Sequence, residues 1–403
     1  MVALSSKGKE AIDKILSDAV EQGKIPGLSF AATNIDEEIY FGKAGLRIID
    51  DPASGEVDEE SVFWVCSQTK LIVSIAILQL VEKGKIGFDT RIEEILPEFA
   101  NPIILDDPFA DKPTYKPAKT PITLAHLLNH SSGLYYSVKP RNPPAALPIP
   151  YTAAHSKTNP IGHFYDLIKE GLPGMPLLFE PGTNFAYGYN IDVIGFIVQK
   201  LTGKYLEDYC KENIFEPLGM KTTFHVTPEM KKKHVGLNFR KSDGTLVPCT
   251  EEHMPLTPQD DEDVHVCLGG VGMHSTLRDY LALLRHLLQI HAGRATNPIL
   301  STETVHKLFE PTLTDDGVKS LNTFNVLTDS QWSIGLCMNV TDWPGARRKG
   351  SGCWYGWAGT YYFVDPTTGI AAVYGTQIVP TRDKEVVRVW AEGEKALYAG
   401  LEA

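Results

Sequence analysis

The sequence has no paired-cysteine motif, no long apolar run and no block of basic residues. Its six cysteines lie far apart and none forms a CxxC pair, so neither a disulfide framework nor a thiolate zinc site is indicated. No window approaches the roughly 20 apolar residues of a membrane span, and the N-terminus lacks the apolar core of a signal peptide. The N-terminus as written predicts a cytoplasmic location, with secretion left open if the native N-terminus was trimmed.

Positive charge is scarce, because 38 basic side chains face 50 acidic ones and the net charge is −12. Nucleic acids and anionic membranes both bind clustered Lys and Arg, so we expect neither as a partner. The longest basic run, Arg347-Arg348-Lys349, is interpreted as a solvated turn. The oligomeric state is left open by the sequence.

Several cofactor and metal motifs are also absent, namely the phosphate-binding P-loop, the HExxH zinc helix, the EF-hand loop and the GxSxG elbow. His126 and His130 have the i, i+4 spacing of a metal pair, but Leu127 stands where a zinc helix carries its Glu base. We interpret both histidines as structural. The sequence therefore predicts neither a metal site nor a cofactor.

The distribution of patterns along the 403 residues predicts an α/β fold. Strand patterns lie near both ends, at 28–33, 38–46, 332–340, 360–364 and 370–377. Helical patterns lie at 6–22, 69–86, 123–129, 163–170, 192–201, 206–214, 277–291, 302–308 and 384–398. We predict a sheet domain from 1–63 and 300–403, and a mainly helical domain from 64–299. A proline-rich loop at 134–160 is interpreted as a lid.

The strongest candidate for chemistry is the SxxK sequence from Ser67 to Lys70, at the start of a helix that is apolar on nearly every face. Residues i and i+3 share a helix face, so the lysine amine can reach the serine hydroxyl. Burial lowers the pKa of a lysine and leaves part of it neutral and able to accept the serine proton. On spacing alone, a helix cap with a solvent-facing lysine explains the pattern equally well. A second match, Ser6 to Lys9, is interpreted as such a cap.

A third group would support catalysis, and Tyr187 is the candidate. It lies six residues after Pro181 of a Pro-Gly-Thr turn, and Trp354-Tyr355-Gly356 follows further along the chain. Together with Ser67 and Lys70, these segments resemble the serine β-lactamase and penicillin-binding-protein superfamily. The resemblance is to the branch that contains class C β-lactamases, family VIII carboxylesterases and fungal lovastatin-type acyltransferases. It spans about residues 10 to 380.

This resemblance implies a β-lactamase/DD-peptidase-like fold, with an antiparallel sheet flanked by helices and a mainly helical lobe. It implies that Ser67, Lys70 and Tyr187 are catalytic and that the nucleophile lies where the two parts meet. It also implies an oxyanion hole formed by the backbone N–H groups of Ser67 and Trp357.

Two departures from the family pattern bear on the substrate. Tyr189 stands where class C lactamases have an Asn, and Trp354 stands where they have a Lys that holds a substrate carboxylate. Both changes argue against penicillins and for neutral esters. The predicted substrate-binding residues are Tyr135, Tyr136, Tyr189, Trp354, Tyr355 and Gly356.

We therefore predict a carboxylesterase-type serine hydrolase that forms an acyl-Ser67 intermediate. The expected partner is a small neutral ester, including aromatic esters of the hydroxycinnamate or feruloyl type. Three alternatives remain open: an acyltransferase that passes the acyl group to an alcohol, a β-lactamase, and an inactive binding protein of the same fold.

Overall fold

The computed structural model of the chain describes residues 2–137, 146–258, 262–325 and 329–402. In these ranges the strands are β1 (Ala3–Leu4), β2 (Gly27–Asn34), β3 (Glu38–Gly45), β4 (Val62–Trp64), β5 (Ile103–Leu105), β6 (Tyr115–Pro117), β7 (Pro176–Leu177), β8 (Asn238–Arg240), β9 (Leu246–Pro248), β10 (His274–Thr276), β11 (Ser330–Trp332), β12 (Cys337–Asn339), β13 (Gly352–Tyr355), β14 (Thr360–Asp365), β15 (Ile370–Gly375), β16 (Ile378–Val379) and β17 (Leu401–Glu402).

The α-helices in the same ranges are α1 (Ser6–Glu21), α2 (Thr69–Glu82), α3 (Leu124–Leu128), α4 (Ile149–Thr152), α5 (Pro160–Lys169), α6 (Asn190–Thr202), α7 (Leu206–Cys210), α8 (Glu216–Leu218), α9 (Pro228–Lys231), α10 (Leu277–His291), α11 (Thr302–Lys307), α12 (Asp315–Asn325) and α13 (Lys384–Ala399). Short 3-10 helices cover Pro52–Ser54, Cys66–Gln68, Ile92–Glu94 and Pro97–Phe99, and a π-helical segment covers Lys211–Phe215. Each helix in this described part is too short or too polar to cross a bilayer.

The main sheet has seven strands in the order β11-β12-β13-β14-β15-β2-β3. Every neighbouring pair in it is antiparallel. Two of its strands come from the start of the chain and five from the end, so the mainly helical middle of the chain lies between sheet strands in sequence. The predicted α/β fold with an antiparallel sheet is confirmed. The proposed division at 63 and 299 stays a prediction, and α10 from the middle of the chain packs on β15 and β2.

Side chains on the central strands alternate between two apolar layers. In β2, Phe30 and Ala32 face α1 and α13, whereas Ala31 faces the larger core that contains α2 and α10. The same alternation separates Phe363 from Val364 in β14. Because successive residues of a strand point to opposite faces, a sheet covered on both sides needs apolar residues at every position.

Helix α2 lies in the middle of the larger core. All twelve residues from Thr69 to Leu80 are buried, so the helix has no polar face. The sequence prediction of a buried helix is confirmed, although the helix ends at Glu82 rather than at residue 86. Lys70 is therefore carried into the core by the sequence that surrounds it.

Two local predictions are wrong. Ser5 rather than Ser6 caps α1, because its hydroxyl accepts the backbone N–H of Gly8 at 3.1 Å. The single strand predicted at 332–340 is instead the hairpin of β11 and β12, in which the N–H of Ser333 donates to the carbonyl of Leu336 at 2.8 Å. Sequence alternation does not show where a strand reverses.

The predicted lid at 134–160 is described only in part, because residues 138–145 lie outside the described residues. Its later portion contains α4, and Leu147 and Pro148 lie on the cavity next to Ser67. Lid motion stays a prediction.

The interpretation of Arg347 as a residue of a solvated turn is also wrong. Arg347 is 3% exposed and its guanidinium makes two hydrogen bonds to Glu394, at 2.8 and 2.7 Å. The guanidinium also lies over the rings of Trp343 and Phe363. Sequence patterning did not reveal this pair because the two partners are 47 positions apart.

The buried pair generates a stability prediction. Glu394→Ala leaves the Arg347 guanidinium without its carboxylate in the core, so we expect a loss of about 3–5 kcal/mol in the free energy of unfolding. Chemical denaturation measures this change in the free energy of unfolding. The control is Glu303→Ala, which removes an exposed pair with Lys307 and leaves the midpoint unchanged. Equal midpoints for the two variants would contradict the prediction.

Candidate active site

The nucleophile candidate lies on a tight turn between a strand and a helix. Strand β4 ends at Trp64, the N–H of Val65 donates to the carbonyl of Met273 at 3.0 Å, and the 3-10 helix Cys66–Gln68 leads into α2. Cys66 has φ +48°, a left-handed conformation that costs a non-glycine residue about 1–2 kcal/mol. Burial of the Cys66 side chain and the hydrogen bond before it hold this turn, which presents Ser67 at the cavity described below.

Ser67 and Lys70 are brought together as the spacing predicts. The Lys70 amine lies 3.3 Å from the Ser67 hydroxyl, 3.3 Å from the hydroxyl of Tyr136 and 2.7 Å from the carbonyl of Gly270. Lys70 is 3% exposed. Burial lowers its pKa to about 7, against the opposing attraction of Asp192. A large fraction of the amine is therefore neutral near pH 7.

Tyr187 lies beside the same amine. Its ring centroid is 4.7 Å from the Lys70 nitrogen, and its hydroxyl accepts a 2.8 Å hydrogen bond from the indole N–H of Trp354. Burial raises the pKa of Tyr187, while hydrogen bonds with Ser67 and Trp354 oppose the shift without cancelling it. Tyr187 is therefore a neutral phenol at physiological pH and keeps a proton available for donation.

A cavity of about 190 Å³ opens at Ser67. Of the predicted residues, Tyr136, Tyr187, Trp354, Tyr355 and Trp357 line it together with Ser67. The remaining wall is formed by Ala146, Leu147, Pro148, Val271, Phe324 and Thr381. The first three belong to the predicted lid at 134–160. Sequence reasoning did not single out Val271, Phe324 and Thr381, which come from three separate segments.

Two predicted substrate-binding residues lie elsewhere. Tyr135 and Tyr189 line a different cavity of about 460 Å³, together with Pro148 and Glu170. A direct contact of either tyrosine with an ester at Ser67 is not supported by this placement. The Tyr189 side chain is buried and packs against the rings of Tyr136 and Tyr151, which keeps it away from Ser67.

Gly356 is required by packing at the nucleophile turn. A Cβ at this position would lie 2.3 Å from the Thr360 hydroxyl oxygen and 2.6 Å from the Val65 carbonyl. Only glycine allows β13 to approach the turn this closely. Contact of Gly356 with a substrate stays a prediction.

Trp357 follows Gly356 in a turn closed by a hydrogen bond from the Gly359 N–H to the Gly356 carbonyl, at 3.1 Å. Its ring lines the cavity and packs edge-on against Trp64, with centroids 5.7 Å apart. The backbone N–H groups of Trp357 and Ala358 face the Cys66 thiol, whose pKa is raised by burial. The backbone of Trp357 is thus next to the nucleophile turn, and its oxyanion role stays a prediction.

Sequence reasoning also missed two buried polar residues, Asp192 and Tyr151. The Tyr151 hydroxyl donates to Asp192 at 2.6 Å, and the Tyr151 and Tyr136 hydroxyl oxygens are 3.1 Å apart. The available signal was an acidic residue in the first turn of α6, a helix that is buried from Asn190 to Val198. Burial raises the pKa of Asp192 to about 6.

The two spaced histidines have separate structural contacts. His126 completes the N-terminal cap of α3, since its ring nitrogen accepts the N–H of Thr123 at 3.2 Å. His130 contacts Asn190 and packs against the Tyr187 ring. Within the described ranges, no three His, Cys, Asp or Glu side chains are grouped so as to hold a metal ion.

Comparison with known proteins identifies the family of the chain. The family model for Beta-lactamase matches residues 12–395. The chain belongs to the Beta-lactamase family. Within it, the acyltransferase calJ of Penicillium decumbens is 30% identical over 386 residues, which cover 91% of this chain and 87% of that protein. A lovastatin esterase of Penicillium rubens is 29% identical over 402 residues, covering 93% and 94%.

The solved structures show the same fold. Simvastatin synthase (LovD) of Aspergillus terreus superposes with a TM-score of 0.81 at 24% identity, covering 98% of this chain and 99% of that one. The two relatives are named as an acyltransferase and an esterase. With the family, they identify this chain as a serine enzyme of the acyl-transfer and hydrolase class.

The close approach at Gly356 generates a prediction. In Gly356→Ala the new methyl overlaps the Val65 carbonyl and pushes β13 away from the nucleophile turn, so we expect kcat to fall by at least tenfold. Gly87→Ala is the control, because a Cβ there meets only Thr90 at 3.6 Å. Ester hydrolysis by both variants is compared with the wild type. Full activity in Gly356→Ala would show that the approach is not needed.

Proposed function

We propose that the protein cleaves small neutral carboxylic esters through an acyl-Ser67 intermediate. The observation that carries the proposal is the buried Lys70 amine, 3.3 Å from the Ser67 hydroxyl and with its pKa lowered to about 7. A neutral amine at this distance can take the serine proton as the oxygen attacks the ester carbonyl.

The leaving group then needs a proton. Tyr187 is a neutral phenol beside both Ser67 and Lys70, and its hydroxyl is held by Trp354. In the proposed sequence, Ser67 bonds to the carbonyl carbon and its proton passes to Lys70. Tyr187 gives its proton to the departing alkoxide and regains one from Lys70. The backbone N–H groups of Ser67 and Trp357 are the proposed donors to the oxyanion.

The walls of the cavity support a neutral acyl group. The twelve described residues around it include no charged side chain and are mostly aromatic or aliphatic. A substrate carboxylate would lose its hydration there without gaining a cation, which argues against β-lactam substrates. An aromatic acyl group of the hydroxycinnamate or feruloyl type stays a prediction, since the relatives named above are not named for such esters.

Water and an alcohol are competing acceptors for the acyl group. Water gives the hydrolase that we propose first, and the similarity to lovastatin esterase supports it. An alcohol gives an acyltransferase, which the similarity to calJ and the apolar wall of the cavity both favour. The third alternative, an inactive binding protein, conflicts with the preserved proximity of Ser67 and Lys70.

Acylation of Ser67 is the direct test. With p-nitrophenyl butyrate we expect a burst of nitrophenol release and a butyryl adduct on the Ser67 peptide, detected by mass spectrometry. The burst rate should rise with pH around a midpoint near 7, because Lys70 must lose its proton to act as the base.

Two variants complete this experiment. Ser67→Ala should fold normally and form no adduct, and Lys70→Ala should acylate about 10²–10⁴-fold more slowly. An adduct on another residue, or a Lys70→Ala variant that keeps the wild-type rate and pH profile, would refute the assignment.

The choice of acceptor is a separate prediction. If water is the natural acceptor, adding a small alcohol such as butanol should leave butyric acid as the main product at low alcohol concentration. If the protein is an acyltransferase, butyl butyrate should exceed the acid at alcohol concentrations far below that of water. Chromatographic quantification of both products decides between the two.

A further inference from the structure

Asp192 lies near the Lys70 amine, and both oxygens of its carboxylate accept hydrogen bonds. One oxygen accepts the backbone N–H of Gly270 at 2.8 Å, and the other accepts the hydroxyl of Tyr151 at 2.6 Å. The residue is fully buried in the first turn of α6. Each of these two hydrogen bonds begins a path to the Lys70 amine.

The first path is the backbone of Gly270. Its N–H donates to Asp192 and its carbonyl accepts a hydrogen bond from the Lys70 amine at 2.7 Å. A Cβ on Gly270 would lie 2.2 Å from the Tyr151 hydroxyl and 2.6 Å from an Asp192 oxygen. Glycine is therefore needed for the backbone at this residue to bridge the carboxylate and the amine.

The second path runs through two tyrosine hydroxyls, and Asp192 fixes its direction. A carboxylate only accepts hydrogen bonds, so the single proton of Tyr151 is directed at Asp192. The Tyr151 oxygen then accepts the proton of Tyr136, 3.1 Å away. The Tyr136 oxygen is left to accept an N–H from Lys70, at 3.3 Å.

Both paths require the amine to donate. A neutral amine has two N–H groups and one lone pair. The Gly270 carbonyl takes one N–H and the Tyr136 oxygen takes the other, so the lone pair is left for the third hydrogen-bond partner, Ser67 at 3.3 Å. We propose that Asp192 is a positioning residue which, through Gly270 and through Tyr151 and Tyr136, directs the lone pair of Lys70 at the Ser67 hydroxyl.

The charge of Asp192 acts on the same amine. The other titratable groups facing Lys70 are uncharged near neutral pH. Burial raises the pKa values of Cys66, Tyr136, Tyr151 and Tyr187 and lowers the pKa of His130. Among the described residues, Asp192 is the group whose charge raises the pKa of Lys70 most strongly. Its removal should therefore lower the pH at which Lys70 becomes a base.

Asp192→Asn is the decisive variant. Gly270 still needs an acceptor, so the amide oxygen faces Gly270 and the amide NH₂ faces Tyr151. The chain of hydroxyl protons then reverses, and the Tyr136 proton occupies the lone pair that Ser67 needs. We expect kcat for p-nitrophenyl butyrate to fall about 100-fold with KM within twofold. The acid limb of the kcat/KM profile should move about one pH unit lower.

Asp365→Asn is the matched control. Asp365 is also fully buried and also accepts a tyrosine hydroxyl, that of Tyr398 at 2.6 Å, and a backbone N–H, that of Arg348. It accepts two further hydrogen bonds, from the backbone N–H and the hydroxyl of Thr368. It lies five residues along β14 from Thr360, roughly 17 Å along the strand, and Thr360 is the residue that contacts the Val65 carbonyl of the nucleophile turn. We expect a loss of thermal stability in this variant, with an acid limb at the wild-type position.

Tyr151→Phe keeps the charge of Asp192 and breaks only the second path. This variant tests the proposal if Asp192→Asn does not fold. We expect a tenfold loss of kcat at unchanged KM, because the Tyr136 proton is no longer directed away from Lys70. Unchanged kcat in this variant would overturn the proposal, as would an unmoved acid limb in folded Asp192→Asn.

The role of Asp192 rests on the proposed function, and one measurement separates their failures. A wild-type protein that forms no acyl-Ser67 adduct contradicts the proposed function and the role of Asp192 with it. The second case is a wild-type protein that forms the adduct and an Asp192→Asn variant whose loss of activity equals its loss of folded protein. This result contradicts the role of Asp192 and leaves the proposed function standing.

Discussion

The Lys70 amine is held inside the protein, and this single burial sets the requirements for the rest of the site. An ammonium group in a low-dielectric interior is costly, so the folded state favours the neutral amine. The partial compensation comes from Asp192, which is itself buried and needs hydrogen-bond donors. Gly270 and Tyr151 supply them. A base with a pKa near neutrality thus results from a balance between desolvation and one nearby negative charge.

The site is assembled from distant parts of the chain because no single element could supply both the base and its surroundings. The 3-10 helix Cys66–Gln68 brings Ser67, α2 brings Lys70, α6 brings Asp192, and β13 ends beside the nucleophile turn. Glycine occupies two points of close approach in the site, Gly270 and Gly356, where a methyl group would overlap backbone, carboxylate or hydroxyl oxygens. The packing of the two parts of the fold therefore determines the geometry of the reacting atoms.

Sequence reasoning succeeded where a pattern was local or belonged to a family motif. The apolar run after Thr69 predicted a buried helix, and the SxxK spacing predicted the proximity of Ser67 and Lys70, because both depend on helix geometry alone. It failed where the partner was remote. Arg347 belongs to a basic run, yet it is buried against Glu394. Tyr135 is adjacent to Tyr136 in the chain, yet it lines a different cavity.

The sequence by itself determined the fold class, the family resemblance, the absence of several cofactor motifs and the pairing of a serine with a lysine one helical turn away. The fold class and the serine–lysine pairing follow from short-range patterns, and the family resemblance follows from the motifs at Ser67, Tyr187 and Trp354. Only the tertiary structure decided the protonation of Lys70, the direction of its hydrogen bonds and the neutral walls of the cavity. Those properties depend on burial and on oxygen and nitrogen atoms contributed by residues that are as many as 200 positions apart.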